Sequence, residues 1–542
     1  MQTDRTDGLA TSLVFVAVGA LLSAGAVTAW LDRREATRQS PVEIVEDGDP
    51  PAPTARPEPP ANARNVVIVL WDTVRADRMS LYGGPRPTTP RLDAWAASAT
   101  VWDDAISPSF WTLPAHASLF TGAPVRAHGA DAHFPWLRDR HVTLADHLRD
   151  RGWSTWAFTT NSNVGAESNL DQGFERVERH SDDAWAGRTL DVLAQHRVPT
   201  DASTPSSPAW PATADSPAQY ARSSKDAGPV AAEALGRFLD GRSDDRPFVA
   251  YVNYMEAHAP RLPSMDARRA VGLTDAEIAV GLATPAGFDE LKAANRDERK
   301  YTAAEDAAML GVYDAALWEL DRATGDLLDA LDRRGILDDT VVVVVSDHGE
   351  GFGDHGVYGH NWSVHDELVR VPLVVRAPGL AAGRRAGPTS TADLFGAVAE
   401  LAGAPIAGAT TLAAPRSPVV TELTAPHGLR PGAPERSPDG RVIPQRRRFV
   451  AIYDGPWKLI RSSTGDRELY DRATDPGETR SLTAAEPARV AAMEAAMDAW
   501  IAANPEPADE PLGAAERERR RAARAQRPDD AGEQLEALGY LQ

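Results

Sequence analysis

Acidic residues follow two apolar runs in the sequence, and both positions could bind a metal ion. Asp72 follows VVIVLW at 66–71, and Asp347 with His348 follows VVVVVS at 341–346. Polar side chains at the carboxyl ends of parallel strands meet at one edge of a sheet. Carboxylate and imidazole groups there are typical ligands of divalent cations. Asp72 alone could be a helix cap, but the two positions together predict a metal centre.

A segment between these runs supplies a candidate nucleophile. In SFWTLPAHASLFTG, at 109–122, Thr112 precedes Pro114 and a helix predicted to begin near Ala115. Amides and the dipole at a helix N-terminus stabilise an anion, and a hydroxyl bound to a metal ion is an activated nucleophile. Thr112 is therefore predicted to be both nucleophile and metal ligand. The alternative is an N-cap with a structural role only.

The apolar runs also predict the fold that brings these segments together. Uninterrupted apolar runs are typical of strands buried on both faces of a parallel sheet, and residues 155–160 and 247–254 add two more. Helical stretches at 143–151 and 315–334 lie between them. The alternation predicts an α/β sandwich with a mainly parallel central sheet. Short strands and turns in RFVAIYDGPWKLI and ELYDRATDPGE predict a small C-terminal α+β subdomain.

Composition excludes several classes of protein. Lys plus Arg total 57 against 78 for Asp plus Glu, a formal charge of −21. That charge repels nucleic-acid phosphates, so no nucleic-acid partner is expected. The absence of cysteine excludes disulfides, thiolate-bound zinc and a thiol nucleophile, and it leaves the compartment open.

The N-terminal sequence predicts a membrane anchor. Leu9–Leu31 is an uncharged run of 23 residues, long enough at about 1.5 Å per residue to cross roughly 30 Å of hydrocarbon. A cleavable signal peptide and a buried core helix are the alternatives. Arg33, Arg34 and Arg38 favour the opposite orientation. We expect a catalytic body held outside the cytoplasmic membrane, in the periplasm or at the cell surface.

These features divide the chain into five parts. They are an anchor or signal segment at 1–32, a Pro-rich linker at 33–63, a catalytic domain at 64–405, a C-terminal subdomain at 406–505 and a charged helical tail at 506–542. Residues 198–220 and 262–300 look like insertions in the catalytic domain. Substrate specificity is expected to lie in the insertions and loops, so the sequence does not identify the substrate.

Five segments, in this order, resemble motifs of the sulfatase family of the alkaline-phosphatase-like superfamily. They are Asp72–Arg75, TLPAHASLFTG, SDHGEGFGDHG, HDELVRVPLVV and ELYDRATDPGE, within about residues 65–482. The resemblance implies the superfamily's sandwich fold and hydrolysis of small-molecule or glycan sulfate esters. It also implies one divalent cation, usually calcium, with zinc or manganese as alternatives.

The resemblance also assigns roles to individual residues by motif position. Metal ligands are expected at Asp72, Asp347, His348 and Thr112, and catalytic groups at Thr112, Arg75, His116, His258 and His360. Thr112 stands where the family has its modified Cys or Ser. His116 stands at the position of an Arg, and His360 at that of an anion-binding Lys. Arg75 keeps the position of the family's Arg beside the nucleophile, and His258 that of a histidine that contacts the substrate.

The sequence departs from the family pattern near the expected centre. Thr73 replaces a second Asp ligand, and Asn161 and Asn163 replace a Lys and a His. Threonine cannot become formylglycine, because oxidation at its methyl-bearing β-carbon would give a ketone. One alternative is a phosphodiesterase or phosphonate-type hydrolase with a Thr nucleophile and two metals, for which His365 and Glu256 are spare ligands. The other is a non-catalytic, membrane-tethered module that binds anions or glycans.

Overall fold

The computed structural model describes residues 57–195, 228–360, 362–425, 435, 446–507 and 511–525. The predicted anchor Leu9–Leu31 and the insertion at 198–220 lie outside these ranges. Within them, no helix combines the length and apolar character needed to span a bilayer.

The strands in these ranges form four sheets. In chain order they are β1 Asn65–Trp71, β2 Thr100–Trp102, β3 Ala105–Ile106, β4 Ser154–Thr159, β5 Arg176–Arg179, β6 Phe248–Tyr254, β7 Thr340–Ser346, β8 Gly351–Phe352, β9 Tyr358–Gly359, β10 Arg370–Val371, β11 Leu373–Arg376, β12 Gly383–Arg385, β13 Thr389–Ser390, β14 Val419–Leu423, β15 Phe449–Asp454, β16 Trp457–Ser462 and β17 Arg467–Asp471. The largest sheet has the order β12-β2-β11-β7-β1-β6-β4-β5. Its strand pairs are parallel except the two that β11 makes with β2 and β7.

The register of the central strands positions the candidate metal ligands. Trp71 at the end of β1 lies opposite Ser346 of β7 and Tyr254 of β6. Asp72 and Asp347 therefore leave the sheet side by side, as the two apolar runs predict. The amide of Asp72 continues the pairing by donating to the carbonyl of Tyr254 at 2.9 Å.

The described residues also form α-helices, and both faces of this sheet are covered by helices. They are Pro90–Trp95, Thr112–Thr121, Val125–His128, Leu144–Arg149, Ala186–Gln195, Gly228–Asp240, Met265–Ala270, Asp275–Ala283, Phe288–Asn295, Ala303–Arg333, Asp366–Val369, Leu394–Leu401, Pro487–Ala503 and Ala514–Ala525. Successive residues of β1 alternate between faces: Ile68 packs in the core that contains Leu113, and Val69 in the core that contains Leu317. The predicted α/β sandwich with a mainly parallel sheet is confirmed.

Helix bounds differ from the sequence-based expectation at one end of the long helix. That helix begins at Ala303, not near residue 315, and Thr302 and Glu305 form a capping box at its start. Such a box satisfies two amides that a helix N-terminus leaves without partners. The insertion at 262–300 forms three short helices between Met265 and Asn295.

The strands β14 to β17 form an antiparallel sheet, and the helix Pro487–Ala503 packs on it. This confirms the predicted small C-terminal α+β subdomain. The buried ammonium of Lys458, on β16, lies 2.8 Å from Asp366 Oδ1 and 2.9 Å from Glu478 Oε1. Because Asp366 belongs to the predicted catalytic domain, this ion-pair group joins the subdomain to that domain.

Candidate active site

Asp72, Asp347 and His348 form a buried group at the carboxyl ends of β1 and β7. Their candidate ligand atoms all lie within 4.8 Å of one another. His348 Nε2 is 3.4 Å from Asp347 Oδ2 and 3.9 Å from Asp72 Oδ1. These two carboxylate oxygens have no hydrogen-bond partner among the described residues. Since a buried oxygen without a partner is costly, both oxygens fit a bound cation.

The surrounding hydrogen bonds orient these three side chains. His348 Nδ1 donates to the carbonyl of Gly349 at 3.0 Å, which leaves the Nε2 lone pair facing the carboxylates. Asp347 Oδ1 accepts from the amides of His348 at 2.9 Å and Thr73 at 3.3 Å. Thr73, at the position of the family's second Asp, thus holds a ligand through its backbone.

Burial is the main influence on the pKa values of this group. Burial and the nearby Asp347 raise the pKa of Asp72 to about 7, and burial raises that of Asp347 to about 7. Burial lowers the pKa of His348 to about 4, so the imidazole is neutral at pH 7. A divalent cation would supply the charge that keeps both carboxylates ionised.

Thr112 lies beside this group as the first residue of the helix Thr112–Thr121. Its side chain is fully buried, and its Oγ1 is 3.4 Å from His348 Nε2. Asn161, which follows β4, donates to Thr112 Oγ1 at 3.4 Å and to Asp72 Oδ2 at 2.7 Å. The structure therefore brings Thr112 together with the three predicted ligands. The sequence marks Asn161 only as a departure from the family pattern, although its position after the end of β4 could have indicated a place in this site.

His116 lies one helical turn after Thr112 and is neutral. Its Nδ1 donates to the carbonyl of Thr112 at 2.8 Å, and its Nε2 accepts from the hydroxyl of Tyr251 at 2.7 Å. Burial lowers the pKa of His116 to about 3. The ring also approaches Asp347 Oδ2 at 3.6 Å. His116 is thus inside the cluster, but it does not supply the positive charge of the Arg whose position it occupies.

His360 and His258 extend the cluster beyond His348 as two further neighbouring rings. The ring centroid of His360 is 4.6 Å from that of His348 and 5.0 Å from that of His258. His360 Nδ1 lies 2.9 Å from Glu350 Oε1. Burial alone would lower the pKa of His360, but Glu350 raises it. Glu350 is not among the residues predicted from the sequence, although its place in the SDHGE segment, directly after Asp347 and His348, could have indicated it.

The guanidinium of Arg75 is directed to a different set of groups. It forms ion pairs with Asp77 and Asp354, both at 2.8 Å, and donates to the carbonyl of Glu350 at 3.1 Å. It lines a cavity of about 730 Å³ whose described lining residues do not include Thr112. Two carboxylates and a backbone carbonyl thus orient the Arg75 guanidinium, and its place beside the nucleophile stays a prediction.

A second group of possible ligands lies where the catalytic domain meets the C-terminal subdomain. We call His355, His365 and Glu367 the seam cluster. His355 contacts Glu367 Oε1 through Nδ1 at 2.9 Å and the carbonyl of Glu478 through Nε2 at 3.0 Å. His365 Nε2 lies 3.0 Å from Glu468 Oε2. His365 is thus not a spare ligand of the first group, and Glu256 belongs to neither group found in the described residues.

The chain is similar to known sulfatases in sequence. The family model described as Sulfatase matches residues 64–404. The choline-sulfatase of Rhizobium meliloti is 31% identical over 173 residues, covering 31% of this chain and 32% of that protein. The ulvan-active sulfatase of Formosa agariphila is 26% identical over 319 residues, covering 58% and 56%. The chain thus spans about a third and about half the length of these two relatives.

The phosphonate monoester hydrolase of Agrobacterium radiobacter shares the fold. The TM-score is 0.60 at 22% identity, and the match covers 82% of this chain and 96% of that one. The mainly parallel sheet, with candidate metal ligands at its strand ends, has the alkaline-phosphatase-like fold. Because the family model covers more than half of the sequence, the chain belongs to the sulfatase family.

Proposed function

We propose that this protein is a metal-dependent hydrolase of sulfate esters that uses unmodified Thr112 as its nucleophile. The observation that carries the proposal is the position of Thr112 Oγ1, 3.4 Å from His348 Nε2 and beside two buried carboxylate oxygens without partners. Membership of the sulfatase family supports the reaction type. The names of two relatives, choline-sulfatase and ulvan-active sulfatase, support small-molecule or glycan sulfate esters as the class of substrate.

The residues of the site divide the reaction between them. Thr112 Oγ attacks the sulfur, and the bond from sulfur to the leaving alkoxide breaks, which gives an O-sulfated threonine and an alcohol. Asn161 orients the attacking oxygen, because its amide donates to Thr112 Oγ1 and to Asp72. His360 and His258, whose rings follow one another beside His348, are the candidates to pass a proton to the leaving oxygen. Water then cleaves the sulfated threonine and releases sulfate.

Asp72, Asp347 and His348 would hold one divalent cation, with Thr112 Oγ1 as a further ligand. When bound, the cation supplies positive charge that stabilises the ionised threonine hydroxyl and the sulfate oxygens. Two carboxylates and a hydroxyl favour calcium, a hard cation that prefers oxygen ligands. The imidazole of His348 also suits zinc or manganese, so metal analysis of the purified protein is needed.

Turnover of matched aryl esters by the purified full chain tests this function. Sulfate, phosphate and phosphonate esters would be compared after metal removal and after addition of Ca²⁺, Mn²⁺ or Zn²⁺. We expect sulfate esters to react fastest, with activity dependent on one metal per chain. Preference for phosphonate esters with two metals would instead establish the hydrolase type of the Agrobacterium neighbour. Metal and anion binding without turnover of any ester would indicate a binding module.

We also propose that Leu9–Leu31 anchors the catalytic body outside the cytoplasmic membrane. The run without charged residues and the Pro-rich linker behind it support this location. Protease treatment of intact cells tests it against a known exported marker. Digestion of the marker with protection of the catalytic body would show that Arg33, Arg34 and Arg38 set the opposite orientation.

A further inference from the structure

Glu350 is a buried carboxylate that bridges two basic side chains next to the candidate site. It is 0% exposed, and its Oε1 lies 2.9 Å from Nδ1 of His360. Its Oε2 accepts a hydrogen bond from the guanidinium of Arg261. The reaction as described above gives neither Glu350 nor Arg261 a part.

Arg261 is itself held in place, so Glu350 has a fixed support. Its Nε donates to the carbonyl of Ala257 at 2.7 Å. Its guanidinium carbon stands 4.8 Å from the ring centroid of Phe352 and 5.3 Å from that of Tyr313. Cation–π contacts and a bidentate-capable fork restrict an Arg more than a Lys. The carboxylate of Glu350 is therefore held in one position relative to the His360 ring.

That contact selects one of two orientations of the His360 ring. A histidine ring can rotate by about 180° and exchange nitrogen for carbon positions. An ionised carboxylate only accepts hydrogen bonds, so Nδ1 must carry a proton and point to Glu350. Nε2 is then the ring nitrogen left for the substrate. The hydrogen bond to Glu350 therefore fixes the direction in which Nε2 of His360 points. The ring centroid of His360 is 4.6 Å from that of His348.

We propose that Glu350, supported by Arg261, is a positioning residue that holds His360 in the ring orientation required for ester hydrolysis. The proposal rests on the proposed function in one respect: His360 contacts the substrate. Glu350 itself acts through His360 and touches no reacting atom.

The substitution Glu350→Gln tests the proposal with little change in volume. The amide can donate as well as accept, so it no longer imposes one ring orientation. We expect kcat on an aryl sulfate to fall about 10–100-fold with KM changed less than about twofold, the scale seen when a supporting partner of an active-site group is lost. A rise in KM at unchanged kcat would contradict a positioning role.

A double-mutant cycle with His360→Ala separates positioning from a general structural role. If Glu350 acts through His360, Glu350→Gln in the His360→Ala background adds no further loss of kcat beyond about twofold. Multiplicative losses would overturn the proposal. Glu178→Gln is the matched control, because Glu178 is also buried and accepts from Trp156 and Trp185 in the core. Its kcat is expected to equal that of the wild type.

Two further measurements keep the outcome decisive. If Glu350→Gln does not fold, Arg261→Lys, which keeps the charge and loses the fork, must give the same loss of kcat and the same lack of additivity. Side-chain ¹⁵N NMR of His360 gives a readout that needs no substrate. We expect a proton fixed on Nδ1 in the wild type and exchange between ring nitrogens in Glu350→Gln. An identical His360 spectrum in both would show that the positioning proposal is wrong even if the sulfatase assignment stands.

Discussion

The candidate metal group, Asp72, Asp347 and His348, and the seam cluster contain similar residue types but differ in their hydrogen bonding. In the candidate metal group, one oxygen of each carboxylate is buried and has no hydrogen-bond partner among the described residues. In the seam cluster, both nitrogens of His355 face acceptors, Glu367 Oε1 and the carbonyl of Glu478. Both nitrogens therefore carry protons, and no lone pair is left for a metal.

The geometry of the histidine rings in the seam cluster also argues against a metal site there. The rings of His355 and His365 stack with centroids 3.8 Å apart and an interplanar angle of 9°. Parallel stacked rings direct their lone pairs side by side, whereas two imidazole ligands must converge on one ion. The comparison teaches that unsatisfied ligand atoms, more than the residue types, distinguish a metal site from an ion-pair seam.

The largest expected effect on ester hydrolysis comes from replacing Asp347 in the candidate metal group. Asp347→Ala is predicted to lower ester hydrolysis by about 10⁴-fold or more, the scale for loss of one member of a catalytic unit. Metal content should fall with it, while thermal unfolding shows a folded protein. In the seam cluster Glu367→Gln is the matched change, and it should leave the metal content unchanged. Loss of metal in Glu367→Gln but not in Asp347→Ala would show that the seam cluster is the metal site.

The second prediction concerns the nucleophile. Thr112→Ala is expected to lower kcat by about 10³-fold, because no hydroxyl remains to attack the ester, and Thr112→Ser to stay within about tenfold of the wild type. Mass spectrometry of the peptide that contains Thr112 should show an unmodified residue. Full activity in Thr112→Ala would instead make water the nucleophile.

The third prediction concerns stability alone, at the ion-pair group that joins the C-terminal subdomain to the catalytic domain. Lys458 is 0% exposed between Asp366 and Glu478. Lys458→Met leaves two buried carboxylates without their shared cation, so the free energy of unfolding should fall by about 3–5 kcal/mol. Metal content should not change. The exposed Lys300→Met serves as control and should stay within about 0.5 kcal/mol in chemical denaturation.

The smallest effect is a pH dependence from His355. Burial opposes protonation, but the hydrogen bond and charge of Glu367 raise its pKa to about 9 from 6.5. A raised folded-state pKa contributes stability that is complete below pH 6.5 and is lost as the pH rises through about 9. Chemical denaturation at about pH 6 and pH 9.5 should therefore show a larger fall in the wild type than in His355→Gln. An equal fall of the unfolding free energy in both proteins would show that a charged His355 does not stabilise the fold.

The fold and the grouping of the candidate metal ligands could be predicted from the sequence because both follow from local signals. The apolar runs of β1 and β7 mark strands buried on two faces, and Asp72 and Asp347 come directly after them. The parallel arrangement then puts their ends at one edge of the sheet.

The remaining features depend on contacts between distant segments. Arg261 and Glu350 are 89 residues apart, and no periodicity links them. The direction of the Arg75 side chain depends on Asp354, which is 279 residues away. The antiparallel direction of β11 likewise does not follow from LVVR, since that segment is apolar like β1 and β7, which pair in parallel.

The separation of the site residues along the chain has a consequence for biosynthesis. Thr73 and Asp347 are 274 residues apart, and Thr112 and His348 are 236 apart. A growing chain that ends before residue 347 holds the nucleophile and one carboxylate but lacks the other two ligands. Since a site that exists only in the folded state couples ion uptake to folding, we expect cation loading only after the polypeptide has passed β7. Partially synthesised chains would then carry no premature hydrolytic activity.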